Sequence, residues 1–309
     1  MVRACYRALF RRERENERAA RQKTRLTNLE ALLTDFMSSP ENQTIIPGPI
    51  RTIIDTIYDD VNRRIDYNVR SEQLAACFAR IRREWTTLGE QEPYWSVSTN
   101  DAFKRKNLNA KAVDDFFASG RATVSHLKSV LARSGRELPK GHCLEFGCGT
   151  GRVTEHLAEL FELVTGVDIS LGNLKLAGEH MRNAGLANVS FKLFGSPEQL
   201  ASLPAYDFLF STIVLQHNPP SLQNVILDKL FARLRSGGGA FVLIPTNTPG
   251  YNFKIDDYLR GTSPSLEMHD LPMQVVFARL DQHNMVLIEV LADNWTGMVG
   301  SHTFFAIKK

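Results

Sequence analysis

One stretch constrains the fold of this chain more than any other. Residues 142–152 read HCLEFGCGTGR, an apolar run broken by a single acid and followed by glycine at every second position. Such a run reads as a buried strand, and Gly147, Gly149 and Gly151 as the tight turn that ends it. Residues without a Cβ take positive φ freely and let another group approach the backbone. A strand buried on both faces belongs to a parallel sheet, and parallel neighbours need crossover connections that are usually helical.

From Lys140 onwards the sequence supplies both parts. Short apolar runs at 142–146, 163–168, 189–194, 207–212, 240–244, 285–290 and 301–307 predict seven strands. Val153, Leu157 and Leu160 give the first crossover helix its sheet-facing side, and a helix is expected to open directly after Gly151. Leu222, Val225, Ile226 and Leu230 do the same before the fifth strand, with glycines 237–239 stopping that helix. The expected fold is α/β: a Rossmann-like, doubly wound seven-stranded sheet, mostly parallel with the last strand antiparallel.

Residues 1–90 follow a different pattern and are expected to form an all-helical extension, with the α/β domain spanning 91–309. Nine Lys or Arg against five acids in residues 1–35 make a basic arm, which reads as a solvated charged helix or as a segment lying on an anionic membrane face. Leu26, Leu29, Leu33 and Phe36 suit a short coiled-coil or helix-pair seam, and hence a homo-oligomer contact. Ile54, Ile57, Tyr58, Val61 and Ile65 form a second stripe. Leu74, Phe78, Ile81, Trp85 and Leu88 form a third, with Ser71 as its expected N-cap.

The 309 residues carry a formal charge of +3, too small a balance to imply a nucleic-acid partner by itself. No apolar run reaches the length of a membrane span and no secretory leader is evident, so the chain is expected in the cytoplasm, with the basic arm allowing a peripheral position at the inner membrane face. Cys5, Cys77, Cys143 and Cys148 form no CxxC pair and are read as reduced thiols; no metal site is expected.

The glycine turn then narrows the ligand. Asp168 closes the second apolar run, where a carboxylate can hold two ribose hydroxyls. A dinucleotide loop would place its third glycine at Arg152, whereas this chain spaces its glycines as GxGxG. That favours a nucleoside without a pyrophosphate. Glu145 would repel a pyrophosphate and suits a ligand bearing an ammonium and a sulfonium.

On these residues the chain resembles the class I S-adenosylmethionine-dependent methyltransferases, from about Trp95 to Lys309. The resemblance implies S-adenosyl-L-methionine as cofactor, with Glu145, Gly147, Cys148, Gly149 and Gly151 around its methionine and ribose. Asp168 then matches the ribose-binding acid and Ile169 the residue beneath the adenine. Where the family often carries an acid for the adenine amino group, this chain has Gly195 and Ser196; Ser196 or a backbone carbonyl is the expected substitute, with Glu198 less well aligned.

Residues 206–220, YDFLFSTIVLQHNPP, resemble the family's fourth motif, which implies Ser211, Thr212 and Gln216 at the transferable methyl. His217 is the candidate general base, since an imidazole titrates near neutrality, with a turn-ordering histidine as the alternative. Asn218, Pro219 and Pro220 resemble an Asn-Pro-Pro-Tyr signature, but Ser221 replaces its aromatic residue, and the prolines are expected to start the next helix. Acceptor contacts are expected from Tyr94, Trp95 and Phe103 and from an insertion containing Tyr251, Asn252, Tyr258 and the run 266–272, LEMHDLP. In that run His269, beside Asp270, is an alternative base.

The combination of LEFGCGTGR, LQHNPP and MHDLP is similar to bacterial methyltransferases of surface-glycan pathways. The expected activity is therefore O-methylation of a small molecule or glycan. N-methylation of an amine or protein stands as one alternative, and a non-catalytic S-adenosylmethionine-binding partner subunit as another.

Overall fold

All five residues of β1 (His142–Phe146) are buried, as a strand covered on both faces and flanked on both sides must be. The structure, a computed structural model, describes residues 63–261, 266–293, 295–297 and 299–309. β1 pairs in parallel with β2 (Leu163–Asp168) on one side and β4 (Tyr206–Ser211) on the other. Outside β2 lies the half-exposed edge strand β3 (Val189–Leu193). Outside β4 lies β5 (Leu234–Pro245), then β7 (Ser301–Lys308), antiparallel to both its neighbours, with β6 (Met285–Asp293) at the far edge. The order β3-β2-β1-β4-β5-β7-β6 reverses between β1 and β4. Crossovers leave in opposite directions there, which opens a crevice at the carboxyl ends of those two strands.

Helices cover the sheet because their apolar stripes have no other place to be buried. α3 (Ala110–Ser134) starts on Asn109, whose side chain accepts from the Ala112 N–H, and stops at Gly135 in the left-handed conformation. Its Val124, Leu127 and Leu131 join Leu157, Val164, Phe208 and Phe241 in one core cluster. α5 (Leu171–Asn183), α6 (Pro220–Arg233) and α8 (Met273–Gln282) complete the cover, with the short α2 (Pro93–Val97), α4 (Thr154–Ala158) and α7 (Ile255–Arg260) in the connections.

The chain divides into residues 1–64 with 249–252, and residues 65–248 with 253–309. In the first unit, the Arg64 N–H donates to Asn252 Oδ1 at 2.9 Å. The helix α1 (Ser71–Gln91), which the sequence reading assigns to an extension ending at residue 90, belongs to the second unit with the sheet. It packs on α5 so closely that a Cβ on Gly89 would lie 2.2 Å from Ser170 Oγ. The basic arm, the leucine seam and the stripe up to Val61 lie outside the described residues, as do the membrane and oligomer contacts expected of them. Among the described residues, no helix is long and apolar enough to cross a membrane.

Three local expectations are corrected. Ser71 is the first helical residue rather than the N-cap; Arg70 holds that position, and Gln73 Oε1 accepts from its N–H at 3.1 Å. Glycines 237–239 do not stop α6, which ends at Arg233. They lie inside β5, where the pairing with β4 shifts register between Tyr206 and Phe208 and an extra stretch of chain must be absorbed. α4 begins at Thr154 instead of directly after Gly151, and is five residues long.

Leu157 is fully buried at the centre of the core cluster. Leu157→Ala is expected to lower stability by ~2–5 kcal/mol, because so short a helix has little freedom to collapse into the space; urea unfolding checks this.

Candidate active site

The glycine turn is built onto β2. Gly147 and Cys148 both donate their N–H to the Val167 carbonyl, at 2.7 and 3.1 Å. The Gly149 N–H donates to Asp168 Oδ2 at 2.9 Å, while Asp168 Oδ1 accepts from the Ser170 N–H at 2.8 Å. Gly147 and Gly149 have φ of 80° and 55°, and space is as scarce as conformation. A Cβ on Gly147 would sit 2.2 Å from Val214 and one on Gly149 2.5 Å from Val97. Gly151, with φ of 88°, serves packing instead: a Cβ there would meet Met181 of α5 at 2.8 Å, and Gly151 does not line the cleft.

The crevice at the β1–β4 reversal is an open cleft, with roughly 890 Å³ of empty space when the solvent at its mouth is included. Of the expected cofactor residues, Glu145, Gly147, Cys148, Gly149, Asp168, Ile169 and Thr212 line it. Ser196 does not; it precedes a 3₁₀ turn, and Phe194 forms that part of the wall. Ser211 is buried behind the wall, donating to the Phe146 carbonyl at 3.0 Å. The wall also contains residues for which the sequence predicts no ligand contact: Ile81 and Trp85 of α1, Ser96 and Val97 of α2, and Arg152, Asn173, Ile213, Val214 and Asn218. Tyr94 and Phe103, expected near an acceptor, instead pack edge-to-face on Phe116 in a separate apolar cluster. The stripe through Ile81 and Trp85 was legible as helical, but nothing in its periodicity says that its apolar face covers a ligand site.

Charge in the cleft is shaped by burial. Glu145 is 4% exposed and accepts from Thr154 Oγ1 at 2.6 Å. Desolvation raises its carboxyl to about 8 against the opposing pull of that hydrogen bond. Desolvation also raises Asp168, with the backbone N–H groups of Ser170 and Gly149 opposing. Arg152 is pushed down by burial, with Glu145 as the counteracting charge. Its Nη1 donates to Ser119 Oγ at 3.3 Å, and its Nε is buried with no hydrogen-bond partner among the described residues. A partly buried cation with an unpaired N–H suits a ligand that brings its own carboxylate.

His217 stands in the same cleft, with its ring 4.9 Å from that of Trp85. Nδ1 faces the Glu267 carbonyl at 3.3 Å and Nε2 faces Gln216 Nε2 at 3.4 Å. A carbonyl only accepts, so Nδ1 carries the proton and Nε2 keeps its lone pair. Burial lowers the imidazole to about 4. His269, the alternative base, does not line the cleft. Its ring is caged by Phe253 and Tyr258, its N–H donates to the Gln216 carbonyl at 2.7 Å, and its carbonyl accepts from Gln223 Nε2 at 3.0 Å. Gln216 is likewise buried behind the wall. No group of His, Cys, Asp or Glu among the described residues is arranged to hold a metal ion.

Residues 143–238 match the family described as a methyltransferase domain. That match covers the glycine turn and the strands on both sides of the crevice. The chain is 34% identical over 113 residues to a trans-aconitate 2-methyltransferase of Deinococcus radiodurans, covering 36% of this chain and 40% of that protein. It is 34% identical over 95 residues to a ubiquinone biosynthesis O-methyltransferase of Paramagnetospirillum magneticum, covering 31% of this chain and 36% of that one. The chain thus spans less than half the length of these two relatives. A crystal structure of magnesium protoporphyrin IX methyltransferase from Synechocystis PCC 6803 with bound SAH shares the fold, with a TM-score of 0.54 and 19% identity over 75% of this chain and 100% of that one.

The residues present fit S-adenosylmethionine: a cradle that Cβ atoms would fill, a carboxylate at the end of β2, and Glu145 and the unpaired Nε of Arg152 for an amino-acid zwitterion. Two outcomes follow. Gly149→Ala, strained at φ 55° and pressed on Val97, is expected to abolish cofactor binding in calorimetry while leaving the fold intact by circular dichroism. Near pH 7 the Glu145 carboxyl, raised to about 8, is mostly protonated in the free protein. A cofactor ammonium beside it favours the ionised form, so binding is expected to release close to one proton at pH 7, and less as pH rises through 8. Calorimetry in buffers of different ionisation enthalpy measures this release; a buffer-independent heat would contradict it, and Glu145→Gln should show none.

Proposed function

We propose that this chain is an S-adenosylmethionine-dependent methyltransferase that methylates an oxygen of a small-molecule or glycan acceptor by direct displacement. The observation that carries this reading is one cleft with Glu145, Gly149, Asp168 and the His217 imidazole among its walls. Bound there, the cofactor supplies an electrophilic sulfonium methyl. The residues of the chain then do three things. Asp168 and the glycine turn hold the nucleoside, Glu145 and Arg152 hold the amino-acid end, and the apolar wall of Ile81, Trp85 and Val214 excludes water from the reacting atoms. His217 Nε2 accepts the proton that the acceptor hydroxyl loses as its oxygen forms the new bond to carbon and the carbon–sulfur pair returns to sulfur.

Relatives named as O-methyltransferases support oxygen as the acceptor atom. A second reading, N-methylation of a neutral amine, is favoured by the low proton affinity of His217, because an amine is nucleophilic without prior deprotonation. The two readings separate experimentally. Isotopically labelled cofactor offered to lysate fractions, followed by product mass spectrometry, identifies the acceptor. With it in hand, His217→Ala is expected to slow oxygen methylation by about 100-fold or more, whereas an unchanged rate would favour the amine. Asp168→Ala is expected to weaken cofactor binding at least about tenfold through lost charged hydrogen bonds; undiminished affinity would overturn the assignment of the ribose site.

A further inference from the structure

Outside the cleft wall, a group of contacts gathers around one cation. Arg80, in the middle of α1, is 8% exposed. Its Nε donates to Glu84 at 2.9 Å, its Nη1 to the Tyr258 carbonyl at 2.5 Å with the Gly261 carbonyl at 3.5 Å, and its Nη2 to Glu267 Oε1 at 3.1 Å. The guanidinium carbon lies 4.1 Å over the centre of the Tyr258 ring. One side chain therefore grips the segment after β5 at both 258–261 and 267. The backbone of that same Glu267 then supplies the carbonyl facing His217 Nδ1, and two residues on, the His269 N–H holds the Gln216 carbonyl.

Stability alone gives weak reason for an arginine here. A buried ion pair often contributes no more than apolar side chains of the same volume, and its best-attested use is to specify one arrangement among several. The planar fork matters as well: it reaches two carbonyls and two carboxylates in different directions, which a lysine ammonium cannot span. We propose that Arg80 is a positioning residue for His217, acting through Glu267 to hold the imidazole in its Nδ1–H form, with Nε2 left as the unprotonated nitrogen. The catalytic consequence rests on the reading of His217 as proton acceptor; the orientation itself does not.

The test uses the full chain labelled with ¹⁵N in its histidine rings, with His217 assigned from a His217→Gln variant. Long-range proton–nitrogen spectra of the wild type are expected to show a single Nδ1–H tautomer at His217. Arg80→Met and Glu267→Gln are each expected to give a mixture of tautomers, and Arg80→Lys an intermediate one. Cofactor affinity should be unchanged in all three, since neither Arg80 nor Glu267 lines the cleft. With an acceptor identified, kcat should fall about tenfold or more in Arg80→Met while KM for the cofactor does not move. Retention of the pure Nδ1–H form in folded Arg80→Met and Glu267→Gln would overturn the proposal; should Arg80→Met fail to fold, Glu267→Gln and Arg80→Lys carry the test. A normal rate in His217→Ala combined with the tautomer shift removes the base reading and leaves the positioning role standing.

Discussion

The site depends on one half-buried carboxylate at the end of β2. Asp168 closes β2 and reaches across to the Gly149 N–H, while its other oxygen ties down the Ser170 N–H at the start of α5. The glycine turn, the second strand and the helix beyond it thus share a single electrostatic anchor. Both oxygens keep a further lone pair for hydroxyl donors. Because burial makes the ionised form costly there, these backbone N–H groups matter more than they would in water.

Above this anchor, the reversal of strand order between β1 and β4 sets where everything else must come. Helices on both faces cannot close over that crevice, so its walls are drawn from elsewhere in the chain: α1 and α2 before the sheet begins, and the turn after β4. Among the described residues, 253–261 and 266–271 do not line the space. It braces the β4 turn from behind, through the Glu267 carbonyl, the His269 N–H and the Arg80 grip.

What was readable in the sequence follows from this division. The strands, the glycine turn, Glu145 and Asp168 are local features, each expressed within a few residues, and the sheet carries them to the places expected. The wall from α1 was not readable as a wall, since Ile81 and Trp85 sit on a stripe that looks like any buried helix face. Gly151 and the glycines in β5 show the converse: a local rule assigned them to ligand approach and helix termination, while the neighbours that decide their role, Met181 and the shifted register against β4, are distant in sequence. His269 was attractive in isolation because it stands beside an acid in a proline-rich loop. Its aromatic cage is assembled from Phe253 and Tyr258 and appears only once the chain is folded.

Ile213 follows β4 with φ of 58°, a region that β-branched residues occupy only at a cost of about 1–3 kcal/mol. The twist lies between Thr212 and Val214, both in the cleft wall, with Val214 pressed against the backbone of Gly147. Stability and ligand recognition therefore make opposite demands on one position. A residue chosen for foldedness alone would be glycine or asparagine, and the isoleucine found there gives up part of the molecule's modest reserve of stability for an apolar side chain in the cleft wall.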